Sequence, residues 1–174
     1  MIDCRPLTPD RWADLERLFG PERGAVSGCW CMWFKLRRPE WDQAGRAGRK
    51  AMLRALVEHG PPPSILAYDG ADPVGWCAVG PRSAYPVVLR SRVTGPIDGH
   101  PAHAITCFYL TPRRRRKGLM RPLIEGAVAF ARRSPHRPIL RVDCVPPPAA
   151  AAVRRLDRRA PDRKVATQAR RCAA

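Results

Sequence analysis

His103-Ala-Ile-Thr-Cys-Phe-Tyr-Leu110-Thr-Pro-Arg113-Arg-Arg-Arg-Lys117-Gly118-Leu-Met120-Arg-Pro-Leu-Ile-Glu-Gly-Ala-Val-Ala-Phe-Ala-Arg-Arg133 is the stretch on which the reading of this chain turns. An apolar run of strand length, Ala104 to Leu110, leads into a basic turn that ends at Gly118. Leu123, Ala127, Phe130 and Ala131 then recur at i, i+4, i+7 and i+8, which predicts an amphipathic helix. A strand that passes through a glycine turn into a helix aims main-chain N–H groups and the positive end of the helix dipole at one place. That makes an anion site out of backbone alone. The Arg113–Lys117 run surrounds it with positive charge, which suits a pyrophosphate better than a carboxylate. Other phosphate loops are absent: the chain contains neither G-x-x-x-x-G-K-S/T nor G-x-G-x-x-G.

Arg115-Arg116-Lys117-Gly118-Leu119-Met120 resembles the Arg/Gln-x-x-Gly-x-Gly/Ala signature of the GNAT superfamily of N-acetyltransferases, with Met120 where that family usually has Gly or Ala. The preceding Cys-Phe-Tyr-Leu and the following Arg-Pro-Leu-Ile-Glu-Gly-Ala are similar to the family's strand and helix, and the resemblance covers roughly residues 1–145. It implies an α/β fold with a mixed, mainly antiparallel central sheet flanked by helices. It also implies direct transfer of an acetyl group from acetyl-CoA to an amine of a small molecule or peptide. The cofactor's pyrophosphate is expected on Arg115, Arg116, Lys117, Gly118, Leu119 and Met120, and its pantetheine arm along the strand edge at Phe108, Tyr109 and Leu110. The family's general base is often a Glu on that strand. No acid lies between His103 and Leu110, so His103 is the nearest titratable candidate for catalysis. The Tyr that often serves as general acid has no counterpart, since no Tyr follows Tyr109. Trp30, Trp33 and Phe34 fall where the family shapes its acceptor pocket and are expected substrate walls.

Composition sets the outer bounds. The 174 residues suffice for one domain with a real core. There is no run of about 18 apolar residues, the length that marks a membrane span, and the start of the chain lacks a signal peptide's apolar segment. Seven cysteines, an odd number, are scattered without a disulfide framework, so reduced thiols in a cytoplasm are expected. Cys29 and Cys31 have C-x-C spacing, but no second pair completes a zinc set, and no metal is expected. The net charge of +17 is lopsided, +3 over residues 1–112 and +14 over 113–174. Such a basic half can bind polyanions without specificity. Dedicated nucleic-acid binding is not expected, because no recognition motif accompanies the charge. Two function classes follow: the acetyltransferase, and a non-catalytic basic GNAT-like module that binds CoA or polyanions.

Along the rest of the chain, Ile2 to Leu7 reads as a strand. Thr8-Pro9-Asp10 opens a helix with Thr8 as N-cap and Trp12, Leu15, Leu18 and Phe19 on one face. A second helix is expected over Trp41 to His59 with Met52, Leu53, Leu56 and Val57 inward. Strands at Ser64 to Tyr68 and Val74 to Val79 flank the turn Asp69–Pro73; residues 80–102 read as loop, and Ile139 to Cys144 as a last strand. Residues 146–174 then lose every aromatic residue, Ile and Met. The domain is therefore expected at 1–145, with an atypical or incomplete C-terminal part. The basic Pro/Ala/Arg-rich tail 146–174 is either a poorly ordered extension or out-of-frame translation of a GC-rich gene, and composition leans to the latter.

Overall fold

The computed structural model describes residues 2–20, 28–93, 101–133 and 143–144. Along the chain run β1 (Ile2–Pro6), α1 (Trp12–Phe19), α2 (Arg38–His59), β2 (Ser64–Asp69), β3 (Asp72–Pro81), α3 (Pro86–Arg90), β4 (His103–Leu110), α4 (Met120–Arg132) and β5 (Asp143–Cys144). Strands β1 to β4 lie in sequence order as an antiparallel sheet, and β5 joins β4 in parallel through Ala104 opposite Asp143 and Ile105 opposite Cys144. The mixed, mainly antiparallel sheet and the element order agree with the sequence expectation. One element is additional: α3, opened by Pro86 inside the stretch read as loop. Residues 94–100 and 139–142, parts of the expected loop and last strand, lie outside the described residues, as do residues 146–174.

Side-chain alternation gives the sheet two covered faces. Leu66, Tyr68, Trp76 and Ala78 point to one side and pack with α1, α2 and the segment around Trp30. Ile65, Ala67, Cys77, Val79 and Ile105 point to the other and pack against Leu123, Ala127 and Ala131 of α4. Because β3 is central and covered on both sides, Val74 through Gly80 are all buried, which is why that strand reads as a continuous apolar run. On α4 the helix comes so close to β1 that a Cβ on Gly126 would stand 2.5 Å from both Cβ and Sγ of Cys4. Only a residue without a side chain allows that contact.

Two local expectations are corrected. Thr8 has the extended backbone of an N-cap (φ −109°, ψ 165°), but its side chain caps nothing and instead accepts a hydrogen bond from the Arg11 guanidinium. The α2 helix starts at Arg38, earlier than Trp41, because Pro39 fits its first turn and the Glu40 carboxylate accepts from the Arg37 N–H at 2.7 Å. Its inward stripe is Arg49, Leu53 and Val57 at i, i+4 and i+8, while Met52 and Leu56 lie on the exposed flank. A non-helical Gly45 (φ 58°, ψ −171°) kinks the helix before that stripe begins.

Candidate active site

Strand β4 supplies the first half of the site. Opposite β3 its register slips: Ala78 faces Cys107 but Val79 faces Ile105, so Thr106 is an extra residue, a β-bulge. On the other edge β5 pairs only with Ala104 and Ile105, and from Thr106 to Leu110 that edge has no strand partner among the described residues. Phe108 and Leu110 turn toward α4, and Tyr109 turns the opposite way, its ring 5.4 Å from Phe19 at 80°. Those side chains are committed to the two cores, so what the edge offers outward is main chain.

The turn after β4 supplies the second half. A 3-10 turn at Pro112–Arg114 follows Thr111, whose N–H donates to Val74 O at 3.1 Å. Arg114 pairs with Asp69 at 2.6 Å, and Arg115 Nε donates back to Leu110 O at 3.1 Å. Arg116 (φ 60°) and Gly118 (φ 73°) both take left-handed backbone, which folds the chain into the start of α4. That helix has no side-chain cap and no acid in its first turn, so its first N–H groups have neither a capping acceptor nor a counter-charge. Pro122 brings no N–H, which confines the donors to the residues around Gly118 to Arg121. A Cβ on Gly118 would meet nothing within 4 Å, so the turn faces open space. Arg113, Arg115, Arg116 and Lys117 stand exposed around it. The residues expected to hold a pyrophosphate, Arg115 to Met120, are thus gathered at one turn with donors and charge suited to it. Met120 itself is 41% exposed.

At the other end of the bulge the structure assembles groups that sequence reasoning missed. Tyr85 is fully buried, and its hydroxyl lies beside Thr106 without closing a hydrogen bond of good geometry. Burial pushes its acidity far to the alkaline side. Lys35 stacks its ammonium 4.3 Å from the centre of the Tyr85 ring and donates to Ala84 O at 3.4 Å; burial lowers its pKa. The Cys31 thiol bonds with Cys29 and with Cys107 of β4. Cys29 is brought down to about 7, mainly by the Cys31 hydrogen bond, with main-chain N–H groups and the Arg49 charge adding to it against its own burial. Arg49 fixes this turn by donating to Gly28 O at 2.9 Å and Trp41 O at 3.0 Å. No motif announced these meetings, since Cys31, Tyr85 and Cys107 are far apart in the chain.

His103, the expected base, begins β4 opposite Pro81 and is only 4% exposed. Of the expected substrate walls, Trp30 lies deepest. It has no exposed surface and sits in the core, stacked 6.0 Å from Trp12 and edge-on to Phe19 at 5.8 Å. Trp33 and Phe34 remain half-buried; Trp33 packs edge-on against Trp41 at 4.9 Å, and Phe34 O accepts from Val87 N at 3.3 Å. A cavity of about 710 Å³ between α1 and α2 is lined by Trp30 together with Glu16, Arg46, Lys50 and Arg54, and neither Trp33 nor Phe34 lines it. Among the described residues no group of three or more His, Cys, Asp or Glu could hold a metal ion, and no helix is long and apolar enough to cross a membrane.

The sheet's fourth strand thus bulges, leaves its edge unpaired among the described residues and runs into an uncapped helix through a basic left-handed turn. The sequence matches the Acetyltransferase (GNAT) family model over residues 30–158, and the chain belongs to that family. A solved structure shares the fold. An aminoglycoside N-acetyltransferase in complex with CoA is 13% identical, with a TM-score of 0.52 over 95% of either chain. A ribosomal-protein-alanine N-acetyltransferase from Brucella melitensis is 15% identical, with a TM-score of 0.46 over 90% of this chain and 88% of its own. Among curated proteins no sequence matches the chain.

Proposed function

We propose that this protein transfers an acetyl group from acetyl-CoA to the amine of a small molecule or peptide. The observation that carries the reading is continuity: the main-chain edge of β4, unpaired from Thr106 to Leu110 among the described residues, runs without a break into the Gly118 turn and the uncapped start of α4. An extended thiol-bearing arm can add to the first as a strand does, and its pyrophosphate can rest on the second. Arg115, Arg116 and Lys117 screen the phosphate charge, and the N–H groups around Gly118 to Arg121 orient it. Acetyl-CoA supplies an activated thioester, and Trp30, Trp33 and Phe34 are the candidates for the acceptor's wall. With no carboxylate on β4 and His103 shut inside, proton removal from the amine falls to water. The rate then rests on holding thioester and amine together.

A β4 without a carboxylate favours a second reading, a basic GNAT-like module that binds CoA or polyanions without turnover. Thermal shift with acetyl-CoA and with duplex DNA separates binding classes, because a ligand that binds only the folded state raises its melting temperature. Release of free CoA thiol across a panel of amines then separates enzyme from module. Stabilisation by acetyl-CoA alone, with thiol release, supports the transferase. Stabilisation without release from any amine, or stabilisation by DNA alone, supports the module, and stabilisation by neither ligand refutes both readings. We place the functional domain at residues 1–145; deleting 146–174 should leave acetyl-CoA binding in place.

A further inference from the structure

Three of the six cysteines among the described residues converge on one spot, and their environments are complementary. Cys31 is 6% exposed within the core on the α1/α2 side of the sheet, and Cys107 of β4 packs against that same cluster. The Cys31 thiol is hydrogen-bonded to Cys29 on one side and to Cys107 on the other. Left-handed backbone at Trp30 (φ 42°) and Cys31 (φ 52°) shapes the turn that Met32 N closes by donating to Cys29 O at 2.9 Å. All three are unbridged, and Cys29 is the half-exposed end of the row, beside the Arg49 guanidinium that pins the turn. Strained backbone, a buried thiol in contact with an accessible one, and a fixed cation are not needed to fill a core.

We propose that Cys29 and Cys31 form a hydroperoxide-reactive thiol site that closes to a disulfide. The two thiols have different work. Near neutral pH Cys29 is half ionised and so supplies the nucleophile, whereas burial and its thiol neighbours keep Cys31 protonated. The Cys29 thiolate attacks one peroxide oxygen and the O–O bond breaks. The departing oxygen takes a proton and leaves as water or an alcohol, and Cys29 becomes a sulfenic acid. Cys31 sulfur then attacks the Cys29 sulfur, the S–O bond breaks, and the hydroxyl leaves as water with the Cys31 proton. Two thiols have lost two hydrogens, and the peroxide has been reduced. Cys107, next to the Thr106 bulge, loses its hydrogen-bonded thiol neighbour when the bridge forms, so the oxidation reaches β4.

The site stands apart from the acetyl-transfer reading, and its test needs no acetyl-CoA. The reduced full chain is exposed to a small excess of hydrogen peroxide near pH 7.5, quenched with N-ethylmaleimide and mapped by peptide mass. The expected result is a peptide carrying both Cys29 and Cys31 that is lighter by two hydrogens and regains them with dithiothreitol. Its formation should outpace oxidation of Cys4, whose thiol is pushed up by burial and by Asp3, on the order of tenfold from thiolate fraction alone. Cys31→Ser should stop at a Cys29 sulfenic acid that dimedone captures, with circular dichroism confirming the fold. Oxidation of Cys29 no faster than of Cys4 overturns the proposal. So does a wild-type product that is a Cys29 sulfinic acid, or a bridge between Cys31 and Cys107.

Discussion

Replacing Gly118 with Ala tests the anion turn with the least possible change. Gly118 has φ 73°, and a Cβ there would touch nothing within 4 Å, so the substitution creates no clash. Its cost is conformational, roughly 1–2 kcal/mol for an L residue in left-handed backbone. At about 2–4 °C per kcal/mol for a chain of this size, the melting temperature should fall by about 2–8 °C. Binding should suffer more. If the turn relaxes to negative φ, the peptide planes that aim N–H groups at the phosphates rotate away; if it does not, the new methyl occupies the open space they need. Loss of even one hydrogen bond to a charged group, about 1.5–3 kcal/mol, is worth about 10–100-fold in affinity. Calorimetric titration with acetyl-CoA reads it directly. Gly45→Ala is the control. Gly45 (φ 58°, ψ −171°) also has nothing within 4 Å of a Cβ but sits at the kink of α2, and its backbone region is if anything harder for Ala to enter. Gly45→Ala should therefore destabilise at least as much while binding acetyl-CoA normally. Unchanged affinity in Gly118→Ala, or equal loss in Gly45→Ala, refutes the reasoning.

Neutralising Arg115 and Arg116 to Gln should weaken CoA binding at least about tenfold more than neutralising the exposed Arg38 and Arg90; equal losses in a titration at fixed salt would assign the effect to bulk charge. Trp30→Ala should cost about 3–5 kcal/mol in urea denaturation because it empties a closed core site, whereas Trp33→Ala should fold normally and change the acceptor KM. Gly126→Ala should destabilise by about 1–3 kcal/mol through its contact with Cys4, and Cys4→Gly in the same chain should return most of the loss. Alkylation of Cys29 by iodoacetamide should rise with pH and reach half its maximal rate at about 7, since the thiolate reacts and its pKa is depressed; a midpoint in the ordinary thiol range would mean that the Cys31 hydrogen bond is not formed.

What could be read in the sequence was what short-range periodicity encodes. The run Ala104–Leu110, the glycine at 118 and the stripe Leu123, Ala127, Ala131 fall in β4, the left-handed turn and the buried face of α4. The face of α1, with Trp12, Leu15, Leu18 and Phe19, also agrees. The α2 stripe was misread because Met52 and Leu56 look as apolar as Leu53 and Val57; only the angle at which the helix meets the sheet, beyond the Gly45 kink, decides which pair is buried. Nothing local tells a binding aromatic from a core one, so the burial of Trp30 against Trp12 and Phe19 leaves no mark in the sequence. Its left-handed φ, which drives the ring between Trp12 and Phe19, leaves no pattern in the residues around it. The bulge at Thr106 and the meeting of Cys31, Tyr85 and Cys107 are products of strand register and long-range packing, to which periodicity is blind.

The order of strands in the sheet also sets an order in time. β2 and β3 are joined by the tight turn between Asp69 and Asp72, a closure that takes microseconds once both strands exist. β1 has no such neighbour: its partner in the sheet arrives roughly sixty residues later, so pairing must close a far longer loop. Its other support comes later still, where Cys4 Sγ reaches Pro122 O at 3.7 Å and Gly126 lets α4 settle against it. During synthesis β1 therefore waits for β2, and its contact with α4 comes only after β4 has been made.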